Sequence, residues 1–220
     1  MSITVAISSY KYGHLLSQAI DSVLSQTLLP DKILVVDDCG GDNTSEIANR
    51  YGIECIKRTK NLGVVDNFND ILFNHVNTEK LMFLGADNWL RPDALEKMNL
   101  DYDIVSCHMY LTGNAVHNLK LQENDKYYYK DGYWIRKLKN YNDFKWKLNR
   151  SNVLHGSSLY NTKIAREIGG YKAMPTKNGK TCEDWHLWRE MSKAGARCYN
   201  VQEPLIYCRK HNDNFNGVYK

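Results

Sequence analysis

The chain has 220 residues, a mass of 25.5 kDa and a formal net charge of +4, which fits one large soluble domain or two small ones. At 43% hydrophobic and 25% charged residues with four prolines, the composition excludes disordered, collagen-like and coiled-coil classes, and so mild a charge does not by itself argue for nucleic acid. No apolar run approaches the ~20 residues of a membrane helix, no secretion signal is visible, and six scattered cysteines form neither a CxxC pair nor a zinc spacing, so a cytoplasmic protein with reduced thiols is expected.

Ile3 to Ile7 is a β-branched run that predicts a buried strand. Leu16, Ile20, Val23, Leu24 and Thr27 then mark one face of a helix that stops before Pro30. A second strand, Ile33 to Val36, runs into Asp37-Asp38 and a glycine turn, and a helix follows from about Asp42, a good N-cap, to Gly52. Ile53 to Ile56, Val64 to Val76 and Lys80 to Leu84 continue as strand, helix and strand. This alternation predicts βαβ units, a parallel sheet and right-handed crossovers.

Ligands of open parallel sheets sit beyond the carboxyl ends of the strands. Ser8, Asp37 with Asp38, Asn61, and Asp87 with Asn88 all fall there, so four distant segments are expected to converge on one edge.

The second half reads differently. Asp103 to Leu111 predicts a strand. Lys120 to Arg150 is crowded with eight Tyr, Trp and Phe residues and carries nine Lys/Arg against four Asp/Glu. A strand over Val153 to Tyr160, a short helix, a helix from about Glu183 to Ala194 and a final strand and loop from Arg197 to His211 complete the chain. With no repeat, linker or composition boundary, one domain over 1–220 is expected.

Asp37 and Asp38 suit a base imide or ribose hydroxyl, or simply cap the next helix. Asp87 and Asn88 suit a hard divalent cation carrying phosphate, or an Asx turn. Glu183-Asp184 is either a general base held at a rigid helix start or a pair of carboxylates favoured by the helix dipole. The aromatic, basic segment fits single-stranded nucleic acid, a sugar platform, a face for a missing partner domain, or core filling.

In order, these segments resemble the inverting glycosyltransferases of family two, with the GT-A fold. Val5-Ala-Ile-Ser-Ser-Tyr-Lys and Leu16-Ser-Gln-Ala-Ile-Asp-Ser-Val-Leu-Ser-Gln-Thr are similar to that family's first strand and helix, and Val35-Val-Asp-Asp-Cys-Gly-Gly-Asp to its second strand and acidic turn. Lys60-Asn-Leu-Gly-Val and Asn67-Phe-Asn resemble its donor-side loop and helix. Leu84-Gly-Ala-Asp-Asn-Trp stands at its DxD metal motif, Glu183-Asp-Trp-His-Leu-Trp at its glutamate-aspartate motif, and Arg209-Lys-His at its C-terminal histidine region. The resemblance is strong over Met1 to Leu100 and looser from Val153 to Asn212. It departs at Gly85 and Asn88, where the family carries acids.

The resemblance implies an α/β, Rossmann-like, mainly parallel twisted sheet flanked by helices, with a nucleotide-sugar-binding half (1–100) and a smaller mixed acceptor-side half (101–220), as in the catalytic domain of a longer enzyme. It implies transfer of a sugar from a nucleoside-diphosphate donor, expected to be UDP-linked, to a hydroxyl of a glycan or other acceptor, with no nucleic-acid partner. Ser8, Tyr10, Asp38, Asn61, Gly63, Asn67, Ala86 and Asp87 would hold the donor. Asp87 with His211 and Asn88 would hold Mn2+ or Mg2+, the diphosphate supplying much of the coordination. Asp184 would be the general base and Glu183 its rival, with Gly156 and Trp185 on the acceptor side.

A sugar-nucleotide pyrophosphorylase would want a glycine-rich basic loop after the first strand, and a dehydrogenase a G-x-G-x-x-G there; Ser8-Ser-Tyr-Lys-Tyr-Gly-His is neither. A non-catalytic nucleotide- or glycan-binding module is the alternative from another class, against which the retention of Asp87 and Asp184 argues.

Overall fold

A computed structural model describes residues 1–174 and 182–211; Asn212, the last position of the C-terminal resemblance, lies outside them. The first half alternates as the apolar pattern predicts. β1 (Ile3–Ser9), β2 (Lys32–Asp37), β3 (Glu54–Lys57) and β4 (Lys80–Gly85) are parallel in the order β3-β2-β1-β4, with α1 (Gly13–Leu24), α2 (Thr44–Arg50) and α3 (Gly63–Asp70) as crossovers. α3 runs on through a wider, π-type turn over Ile71–His75, so its backbone follows the predicted helix as far as His75. In β1, Ile3, Val5 and Ile7 enter one core cluster and Ala6 the other. That two-sided burial is why the strand reads as a continuous apolar run.

The sheet turns mixed beyond β4. β9 (Leu159–Asn161) runs antiparallel to both β4 and the start of β6 (Ile104–Thr112), and β10 (Cys198–Arg209) lies parallel to β6. β5 (Trp89–Leu90) pairs antiparallel with β10 at the far edge. Register shifts bracket Pro204 in β10, where the proline has no N–H to give a neighbour. The expected strand over Val153 to Tyr160 is shorter: only Leu159–Asn161 pairs, and the residues before it form a loop. That loop carries Gly156.

The aromatic, basic segment forms a hairpin, β7 (Tyr127–Lys130) and β8 (Tyr133–Arg136), whose second strand pairs with the end of β6. It contributes to an aromatic row across the sheet. Tyr207 stacks on Trp89 at 5.0 Å and on Tyr110 at 4.4 Å, and Tyr133 meets both tyrosines edge-on. These rings are half-buried, so part of the segment fills structure. α4 (Ala94–Met98), α5 (Phe144–Leu148) and α6 (Thr162–Glu167) are short. α7 (Glu183–Lys193) follows the predicted helix and drives Leu187, Trp188 and Met191 into the core.

Two apolar clusters form the core. One packs α1, α2 and α4 with residues such as Val5, Val35, Met82 and Cys107. The other packs α5, α6 and α7 with Ala6, Leu34, Phe83 and Tyr160. Trp188, Tyr160 and Tyr171 are its largest fully buried side chains, and the Tyr171 hydroxyl donates to that of Tyr160 at 3.0 Å. Sheet ends and helix starts are thereby fixed at one rim of the molecule.

Candidate active site

Register places the chemistry. Ser8 is level with Val36 of β2 and Gly85 of β4, so the polar residues following three parallel strands open into one space. A cleft of about 1260 Å³ lies there, lined by Ser8, Tyr10, Asp38, Asn61, Gly63, Asn67, Asp87, Gly156, Glu183 and His211 among others. Phe68 stacks on Phe83 at 3.9 Å and both rings line the cleft. A volume of this order accommodates a ligand of several rings.

The two strand-two acids divide the roles that the sequence left open. Asp37 turns inward, accepting from Gly40 N at 3.0 Å and Ser45 Oγ at 3.0 Å, and it caps the turn. Asp38 lines the cleft and accepts from Leu62 N at 2.9 Å. Burial raises its pKa, opposed by the Leu62 and Gly63 amides and the Arg58 charge. Asn61 accepts from Gly63 N at 2.7 Å and sets the start of α3. Asn67, 1% exposed, accepts from Arg58, whose guanidinium also pairs with Asp70 at 2.5 Å. Arg58 thus ties β3 to α3 behind the cleft, a role no sequence motif signals.

Asp87 and His211 meet at the cleft, with Oδ2 and Nε2 3.3 Å apart and side chains 12% and 14% exposed. Among the described residues no three His, Cys, Asp or Glu side chains gather as a metal cluster. Asn88 turns away: its Oδ1 accepts from Arg209 N at 2.9 Å, and it lines a neighbouring pocket. The Arg209 side chain lies over the Trp89 ring and donates to the Asp87 carbonyl at 3.1 Å, so the end of β10 clamps the turn that carries Asp87. A Cβ on Gly85 would stand 2.7 Å from Asp87 Oδ1 and 2.8 Å from Asn88 Nδ2. The missing first acid therefore leaves the space that these two side chains occupy.

Glu183 and Asp184 open α7 on two sides. Glu183 lines the large cleft and Asp184 the neighbouring pocket, and Gly156 with Ser157 borders both. Asp184 accepts from Asn152 Nδ2 at 3.1 Å and from Trp185 N at 2.7 Å, and the Gly156 position lies in contact with its Oδ2. Burial and the Asp184 charge push Glu183 up to about 7. Burial also raises Asp184, but the Trp185 and Asn152 hydrogen bonds and the Arg136 charge oppose it. Both carboxyls are therefore raised by burial, and only Asp184 has hydrogen-bond donors and a guanidinium charge working against that rise.

Besides Asn88 and Asp184, which line the neighbouring pocket, two expected residues line neither. Ala86 is 1% exposed in the core, and its N–H donates to Ser8 O. Trp185 donates from Nε1 to Leu148 O at 2.6 Å and packs on the core. Lys11, Tyr12, His14, Asn114, Ser157 and Arg209 line the cleft without having been singled out. Lys11 has φ +65, the sort of strained backbone that collects at functional loops. It closes the motif Val5-Ala-Ile-Ser-Ser-Tyr-Lys, which was the signal for it.

The sheet order, with a polar cleft at its rim, is that of the GT-A fold. TarS 1-349 of S. aureus in complex with UDP-GlcNAc matches over 97% of this chain and 60% of its own, with a TM-score of 0.68 and 15% identity. The mannosyltransferase PcManGT of Pyrobaculum calidifontis in complex with GDP-Man and Mn2+ matches over 97% and 58%, with a TM-score of 0.64 and 16% identity.

Residues 4–169 match the description Glycosyl transferase family 2, and the chain belongs to that family. The uncharacterized glycosyltransferase alr2836 of Nostoc sp. is 34% identical over 44% of this chain and 32% of its own length. The UDP-Gal:alpha-D-GlcNAc-diphosphoundecaprenol beta-1,3-galactosyltransferase of Escherichia coli is 24% identical over 94% and 73%. The chain therefore spans about a third of the first relative and under two thirds of the two solved structures.

Proposed function

We propose that this domain transfers a sugar from a UDP-linked donor to a hydroxyl of a glycan or other acceptor, with inversion and with a divalent cation. The observation that carries this is the convergence of Ser8, Tyr10, Asp38, Asn67, Asp87 and His211, from distant segments, on one cleft that also reaches Glu183. The UDP-GlcNAc complex of TarS and the UDP-Gal donor named for the galactosyltransferase relative support the uridine reading. In this reading Tyr10, 40% exposed, stacks on the uracil, and Asp38 accepts from the base imide or ribose. Ser8, Asn61, Gly63 and Asn67 line the same pocket.

Asp87 and His211 fit a metal that already carries phosphate: two donors, one hard oxygen and one imidazole, face the cleft and leave further positions for diphosphate oxygens. The Mn2+ in the PcManGT complex supports this. Bound there, Mn2+ or Mg2+ would stabilise the charge developing on the leaving diphosphate. Lys11 and Arg209 add positive charge along the same wall.

Asp184 is the proposed general base. Burial raises it, but its two hydrogen bonds and the Arg136 charge favour the ionised form, support that Glu183, raised to about 7, lacks from Asn152 and Arg136. Taking the acceptor proton as the hydroxyl attacks is worth about 10²–10⁴ in rate. We place the reaction in the cytoplasm; Cys107 and Cys198 stand as thiols whose pKa burial pushes up to about 12, and no helix among the described residues is long and apolar enough to cross a membrane.

The test is donor turnover with water as acceptor. UDP-glucose, UDP-galactose, UDP-GlcNAc and GDP-mannose are each incubated with Mn2+, with Mg2+ and with chelator, and nucleotide release is followed. Metal-dependent UDP release that Asp87→Ala removes is the expected result. Release from GDP-mannose alone would overturn the uridine assignment.

A further inference from the structure

Beside the large cleft lies a second pocket of about 460 Å³, sharing Gly156 and Ser157 with it and lined by Asp184, Asn152, His155, Arg136 and Lys210. Its charges do not balance. Arg136 and Lys210 are half-buried, and among the described residues no carboxylate lies within 4.0 Å of either in an ion pair. Among the described residues Asp184 is the only acid lining it, and it faces the Arg136 charge, so one carboxylate stands against two cations. A half-buried cation in excess is unfavourable unless something else supplies the negative charge.

A second observation concerns His155. It is 6% exposed, lines the same pocket, and its Nδ1 has no hydrogen-bond partner. Its Nε2 meets the Cys107 thiol at 3.5 Å. Burial holds the imidazole pKa down to about 3 and keeps the thiol protonated. Nδ1 is thus a buried polar atom of the pocket lining that no group of the protein satisfies, an unfavourable state unless a ligand atom meets it.

We propose that the second pocket is a subsite for an anionic group of the acceptor, a phosphoryl or carboxyl group carried next to the hydroxyl that Asp184 deprotonates. The Arg136 fork suits a two-oxygen anion and Lys210 adds a point charge. Asn152 supplies a neutral donor and His155 Nδ1 an unsatisfied polar atom, while Asp184 holds the hydroxyl end. The basic segment from Lys120 to Arg150 acquires a purpose here, since it delivers Arg136 and Tyr127 to the pocket on its hairpin. This inference rests on the transferase reading and deepens it.

The test uses the protein saturated with UDP and Mg2+, which fills the donor cleft, and titrates four small probes by ligand-observed NMR: sn-glycerol 3-phosphate, glucuronate, glycerol and glucose. At least one charged probe is expected to bind tenfold or more tighter than its uncharged counterpart, and the stronger of the two identifies phosphoryl or carboxyl. Arg136→Gln and Lys210→Gln should each weaken that probe fivefold or more while UDP affinity stays unchanged, and Arg136→Lys should restore most of the loss. Equal binding of charged and uncharged probes, or charged-probe binding that survives both glutamine variants, would overturn the subsite. Failure of UDP itself to bind would instead remove the donor reading, so the two failures are told apart.

Discussion

Asp184 carries the largest consequence at the scale of a single residue. Replacing it with asparagine keeps the shape and the Asn152 contact but removes the proposed proton acceptor. Transfer is expected to fall about 10²–10⁴-fold with UDP affinity unchanged, read from steady-state kinetics beside a binding titration. Full activity in that variant would move the base to Glu183. Gly85 gives a less obvious expectation. Restoring the acid that the family carries there is a repair on paper, yet a Cβ at Gly85 would stand 2.7 Å from Asp87 Oδ1. Gly85→Asp should displace the Asp87 carboxylate and weaken metal-dependent UDP binding by about 10- to 100-fold, the range seen when metal ligands lose their orientation. An increase in affinity would show that Asp87 tolerates the crowding.

Among the elements, the starts of α1 and α2 hang on one carboxylate. Asp42 accepts from Gly13 N at 2.8 Å and from Thr44 N at 3.0 Å, and Gly13 approaches so closely that a Cβ there would lie 2.4 Å from Asn43 Oδ1. Burial works against the ionised Asp42, but the Thr44 hydroxyl and the two amides outweigh it and lower its pKa. Asp42→Ala should cost about 1–2 kcal/mol in urea melts at neutral pH. Because the folded pKa lies below the ordinary 3.8, this contribution is present above pH 3.8 and is lost as pH falls through the folded value. The sequence marked Asp42 as the cap of the second helix; the N-cap position is Asn43, and Asp42 reaches Thr44 N from one residue before it. Its bond to the first helix was hidden because it joins residues 29 positions apart. The same limit runs through the fold. β1 to β4 and their helices were legible because each announces itself by local periodicity, and the glutamate-aspartate helix was legible for the same reason. The two-residue β5, the loop that replaces most of the strand expected at Val153 to Tyr160, and the pairing of β8 with β6 depend on distant partners. In the site, strand-end acids were legible, whereas Arg58, Lys11 and the inward turn of Asp37 were set by tertiary contacts.

For the whole molecule, the cleft exists only when both halves are folded, since Glu183 and His211 join Ser8, Asp38 and Asp87 from across the sheet. Global stability should therefore register the buried acid at that junction. Glu183 is raised to about 7 in the fold against 4.5 for the ordinary carboxyl, so the native state binds more protons between those values and stability falls as pH rises from 4.5 to 7. Glu183→Gln should raise the melting temperature at pH 8, by an amount corresponding to on the order of 1–3 kcal/mol, and change little at pH 4.5. A variant no more stable at pH 8 would show that the carboxyl is ionised without cost. The central claim is a uridine-diphosphate site completed by a metal on Asp87. Its most direct measurement is calorimetric titration with UDP, GDP, CDP, dTDP and NAD, each with and without Mn2+, in the wild type and Asp87→Ala. UDP binding in preference to the others, lost without metal or without Asp87, is the predicted result. UDP binding no tighter than the rest in either condition would contradict the account.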